Sequence, residues 1–133
     1  MNQKDAAGRN NEMSMLRLRV RNQSRNTVLA DRADIADTSR KRRTGLLKHK
    51  SLEPGEGLWI MPCEAVHTIG MKFPIDVLFV DRKWRVLKIK NNLRRWRMAG
   101  CLRAHSVLEL PSGMAADTQT VAGDQLEFEK YDT

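Results

Sequence analysis

Two cysteine–histidine pairs with the same spacing, Cys63-x-x-x-His67 and Cys101-x-x-x-His105, offer the residue types best suited to chemistry. A thiolate and an imidazole are common zinc ligands, and either pair could also supply a nucleophile and its base. Spacing restrains both ideas. On a regular strand, residues four apart are separated by roughly 13 Å, too far to share one metal. The pairs would have to sit on helical turns or irregular loops, which Pro62, Gly70 and Gly100 permit. The expectation is therefore two small buried thiols, two hydrogen-bonded histidines and no metal. Cys63, His67, Cys101 and His105 are the ligands to consider if one binds, and a Cys63–Cys101 disulfide is a further alternative. Thiol catalysis would need a neighbour that lowers the thiol pKa and a third group, such as Asp76, to complete the site.

Two carboxylates stand on apolar segments. By strand alternation Asp76 shares a face with Leu78 and Val80, and Glu109 shares one with Val107. A buried carboxylate must be paired or hydrogen-bonded, so the simpler expectation is that turn amides or an arginine satisfy each. The other is an acid/base pair. A polar pocket is expected around His67, Met71 and Asp76, with Glu109 as a further member. Arg94-Arg95-Trp96-Arg97 sets an aromatic among cations, as a single-stranded nucleic-acid surface does, and Arg17, Arg19, Arg21 and Arg40 to Arg43 could extend it. No recognised nucleic-acid motif accompanies it, so weak, salt-sensitive contact with polyanions is the expectation.

The elements that must position these residues are mostly strands. Met15-Leu16-Arg17-Leu18-Arg19-Val20-Arg21 alternates, with Leu16, Leu18 and Val20 on one face, predicting a half-buried strand with a basic outer face. Thr27 to Ala30 returns as a short partner. Asp37 or Thr38 can cap a basic helix running to about Lys48, with Leu46 and Leu47 as its buried contribution and Gly45 inside it marking a close contact. Leu58 to Met61, Ile75 to Val80, Trp84 to Lys90, His105 to Leu110 and Gln125 to Glu129 read as strands, separated by Gly- and Pro-rich turns. Ala115-Ala116 permits one helical turn. Many short strands with one helix predict a mainly β sandwich or barrel.

From about Thr38 to Phe128 the chain resembles the bacterial and archaeal family called domain of unknown function 192. The resemblance rests on Arg43-Thr44-Gly45-Leu46-Leu47, Gly57-Leu58, Phe73 to Asp81, Val107 to Gly113 and Gly123-Asp124, in that order. His67-Thr68 and Gly70-Met71 stand where many relatives carry other pairs, so it resembles a His-Thr branch. The resemblance implies a compact, jelly-roll-like β-sandwich with one short helix and no established reaction. It leaves the first 37 residues as an extra hairpin or a partner-binding arm.

The 133 residues suit one domain, read as a disordered leader at 1–13 followed by a single β domain over 14–133. The net charge of +8 is carried by residues 1–50, with 13 basic against 5 acidic residues. Arg82 to Arg103 holds nine basic residues and no acidic one. No apolar run approaches a membrane span, and no secretory signal is visible, so a cytoplasmic protein is expected. The function these features support is a ligand- or partner-binding module without a cofactor. The alternatives are an enzyme or metal site on Cys63, His67 and Asp76, and a nucleic-acid-associated protein using its basic surface.

Overall fold

The structure, a computed structural model, describes residues 16–47 and 49–132. The leader expected at 1–13 lies outside them. Among the described residues the chain is mainly β. Its order is β1 (Leu16–Asn22), β2 (Thr27–Ala36), α1 (Ser39–Thr44), β3 (Glu56–Ile60), β4 (Ala65–His67), β5 (Ile75–Val80), β6 (Val86–Leu93), β7 (Met98–Gly100), β8 (Ser106–Pro111), α2 (Met114–Asp117) and β9 (Leu126–Asp132). Seven strands form one sheet in the order β6-β5-β8-β3-β2-β1-β9, and β4 and β7 pair separately as a small flap.

The alternation of β1 is realised at Leu18 and Val20 but not at Leu16, which is 48% exposed. Leu18 and Val20 are fully buried, while the arginines face outward. Opposite them β9 presents acids: Arg19 meets Glu129 at 2.8 Å and Arg21 meets Glu127 at 3.4 Å, and Arg17 meets Asp34 of β2 at 3.3 Å. The first hairpin is therefore not an arm. It is built into the sheet, with β2 parallel to β3 and β1 antiparallel to β9.

The sheet curls until its outer strands approach. Arg85 and Gln125 form a bridge, Leu126 N donates to the Trp84 carbonyl at 2.8 Å, and Val86 N donates to the Asp124 carbonyl at 2.9 Å. Inside the curl, Trp59, Trp84 and Phe128 stack with ring centroids 4.7, 4.8 and 5.3 Å apart. The central strands β3, β5 and β8 contribute to both faces. Along β5, Leu78 and Val80 enter this inner core, whereas Val77 and Phe79 enter a second core on the other face with Ile60, Val107 and Leu93. The second core is closed by Leu46, which follows α1, and by Val66 of the flap.

Several boundaries differ from those read off the sequence. α1 ends at Thr44, not Lys48, because Gly45 takes φ 49° and donates its N–H to the Lys41 carbonyl as a C-cap. Gly45 is thus a helix stop, not a contact inside a helix, and Leu46 reaches the core from the turn beyond it. Trp84 has φ 65° and lies in the turn before β6. β2 runs on to Ala36 because its second half gains a parallel partner, Arg32 to Ala36 against Glu56 to Ile60.

Candidate functional site

On the outer face of the sheet, a cleft of about 510 Å³ opens between α1 with its following turn, the β3–β4 connection, β4, and the middle of β8. Its size is that of a small-ligand pocket. Leu46, Leu47, Ile60, Val66 and Met71 form apolar walls, and Arg42, Arg43 and His67 add polar groups. Cys63 and Glu64 lie on the connection, and Glu109 comes up from the sheet.

Glu109 is only 4% exposed. Among the described residues its side chain accepts no hydrogen bond, and burial alone pushes its carboxyl up to about 7 from the ordinary 4.5. An acid in this position is poised near neutrality. The expectation that turn amides or an arginine would satisfy it is not met by any described residue. Nearby Arg42 spends its guanidinium elsewhere, on the carbonyls of Asp37 and Met61 at 3.2 Å and on the Ser39 hydroxyl at 3.3 Å.

Asp76 stands apart from this cleft. The register of β5 against β8 sets Asp76 opposite Leu110 and Val77 opposite Glu109. Leu110 belongs to the inner core and Val77 to the outer one, so the two carboxylates point to opposite faces of the sheet. They form no acid/base pair. The fully buried Asp76 accepts backbone N–H bonds from Asn92 at 2.8 Å, Gly113 at 3.1 Å and Ala115 at 2.9 Å. It fixes the turn into α2 and the irregular end of β6, where Asn92 has φ 51°.

Of the expected pocket residues, His67, Met71 and Glu109 thus share one cleft and Asp76 does not. His67 is exposed on the outer side of the flap, paired with Met98. Cys63 joins them: its thiol donates to the Ala65 carbonyl at 3.1 Å, and burial, reinforced by the negative charge of Glu109, pushes the thiol pKa up. A thiol held protonated is a poor nucleophile. Cys101 and Cys63 are both unbridged, and Cys101 does not line the cleft. His105 lines an adjoining basic opening with Asp81, Arg82 and Arg103, which meets the cleft at Pro62, Cys63 and Glu64. Among the described residues no three His, Cys, Asp or Glu side chains gather as a metal set.

The Arg94–Arg97 segment is organised by a buried threonine that charge reasoning overlooks. Thr68 donates its hydroxyl to the Arg94 carbonyl and accepts the Arg97 N–H at 2.9 Å, and its own N–H bonds the Arg97 carbonyl at 2.8 Å. Trp96, at φ 63°, is left 62% exposed, with Met98 and Ile69 also exposed nearby on the flap.

Fold and site together define a small, curled β protein with an acid-floored cleft on its outer face. The chain belongs to the DUF192 family, described as an uncharacterized ACR, whose model matches residues 20–128. The match begins ahead of the expected Thr38, as it should if β1 and β2 are integral strands. Among curated proteins, the UPF0127 protein PH1112 of Pyrococcus horikoshii is 31% identical over 114 residues, covering 80% of this chain and 96% of that one. Among solved structures, a protein of unknown function from Novosphingobium aromaticivorans has TM-score 0.72 at 24% identity, covering 84% of this chain and 83% of its own. A proposed transcription regulator from Sinorhizobium meliloti 1021 has TM-score 0.74 at 21% identity, with coverages of 85% and 92%. At those identities the likeness is one of fold. No helix among the described residues is long and apolar enough to cross a membrane.

Proposed function

We propose that this protein is a binding module for a small molecule, and that its site is the cleft between α1, β4 and β8. One observation carries the reading: Glu109 is a buried carboxyl at the base of a ligand-sized cleft, satisfied by no described residue. Native proteins pair such groups, and where the chain supplies no partner a ligand can. Catalysis by Cys63, His67 and Asp76 has weaker support, since Asp76 serves other amides and the Cys63 thiol is held protonated. A cytoplasmic setting remains part of the proposal. The test is a fragment screen read by methyl NMR. Hits should shift Leu46, Val66 and Met71 together and protect Cys63 from iodoacetamide. Hits scattered over the surface, with Cys63 labelling unchanged, would remove the reading.

A second reading rests on the flap. The unbroken basic stretch from Arg82 to Arg103 and the exposed Trp96, clamped in place by Thr68, favour a single-stranded nucleic acid, with a base on the indole and phosphates on Arg94, Arg95 and Arg97. Its test is whether binding to an oligonucleotide survives physiological salt.

A further inference from the structure

The cleft also indicates what its ligand is made of. Its base is one carboxyl and its inner walls are aliphatic or thioether side chains, while Ser39, Arg42, Arg43, Thr44, Cys63, Glu64 and His67 complete the lining. Among the described residues, the titratable and charged groups that line the cleft with Glu109 are Arg42 and Arg43 from α1, Cys63 and Glu64 from the β3–β4 connection, and His67 from β4. Of the cations, Arg42 is committed to two carbonyls and a hydroxyl. Arg43 and His67 are exposed side chains on the outer side of the cleft. Neither arginine is hydrogen-bonded to the Glu109 carboxyl. Water could donate hydrogen bonds to the carboxyl but would bring no charge to offset its burial. A ligand ammonium would bring both.

We propose, resting on the binding reading above, that the cleft takes a small aliphatic amine, its ammonium on the Glu109 carboxylate and its chain along Leu46, Ile60, Val66 and Met71. The hydrogen-bonded ion pair requires Glu109 ionised and the amine protonated. A free alkylamine keeps its proton to about pH 10, as a lysine does. Affinity therefore rises as Glu109 loses its proton, and the site discriminates against ligands of the same length that end in a hydroxyl or a carboxylate.

The experiment uses the full chain and three probes, n-butylammonium, n-butanol and n-butyrate, titrated at pH 5 and pH 8 and followed by the methyl signals of Leu46, Val66 and Met71. Butylammonium should bind at least about tenfold more tightly at pH 8 than at pH 5, and more tightly than the other two probes at pH 8. Glu109→Gln should abolish that pH dependence. The wild-type comparison of probes and pH values needs no variant, so a poorly folding variant leaves the test intact. Butanol or butyrate binding as well as butylammonium at pH 8 would overturn the amine assignment while keeping the cleft as a site. Silence of the cleft methyls toward all three probes, beside fragment hits that do reach them, would also overturn it. If neither probes nor fragments move those methyls, the binding reading itself fails.

Discussion

Between pH 4.5 and about 7 the Glu109 carboxyl gives up its proton in the unfolded chain but keeps it in the folded one, because burial raises its pKa and no described residue bonds it. The folded-state pKa lies above the unfolded one, so the folded state binds more protons in this window and stability falls as pH rises through it. The loss is on the order of 3 kcal/mol, complete above the folded pKa. Glu109→Gln should remove it. Urea midpoints of the two proteins should differ little at pH 4, and by pH 8 the variant should be the more stable; equal pH slopes would contradict this. Asp76, by contrast, has three amide donors. Asp76→Ala strands those buried N–H groups and should cost about 3 kcal/mol or more in urea unfolding, with Asp76→Asn recovering part. A loss below about 1 kcal/mol would mean the amides find other partners.

At the scale of elements, the flap depends on Thr68. Thr68→Val deletes the hydroxyl that holds Arg94 and Arg97 together and should destabilise the protein by about 2 kcal/mol. Amide exchange should quicken at Arg97 while β5 and β8 stay protected; an unchanged Arg97 rate would show the loop is held by something else. This flap is also where sequence reasoning stopped short. β1, β5 and β8 were legible because alternation or a continuous apolar run spans six or seven residues. β4 and β7 are three residues each, too short for any period to declare itself, and they exist because Val66 and Ala99 pack onto the outer core. The face of Glu109 was legible from Val107, and that of Asp76 from Leu78. Their separation was not, since it depends on the β5–β8 register. Leu46 was rightly read as buried but assigned to a helix that Gly45 ends.

Across the whole molecule, charge is partitioned by pairing. Arg19 and Arg21 face Glu129 and Glu127 on β9, and Arg17 faces Asp34, so the basic face of β1 is largely neutralised. The stretch from Arg82 to Arg103 carries no acid of its own. Binding to a single-stranded oligonucleotide should therefore weaken when Arg94, Arg95 and Arg97 become alanine, and much less when Arg17, Arg19 and Arg21 do. It should also weaken between about 50 and about 200 mM salt yet remain measurable at physiological salt, where stacking on Trp96 adds to the charge contacts. Equal losses from the two sets would assign the effect to net charge alone. The cleft lies on the same outer face as the flap, and everything proposed for it rests on one buried acid that no described residue bonds. The direct measurement is a carbon-detected NMR titration of the side-chain carboxyls with Glu109 assigned through Glu109→Gln. A Glu109 midpoint near 7, falling when butylammonium is added, is the predicted result. A midpoint in the ordinary glutamate range near 4.5, indifferent to the amine, would contradict it.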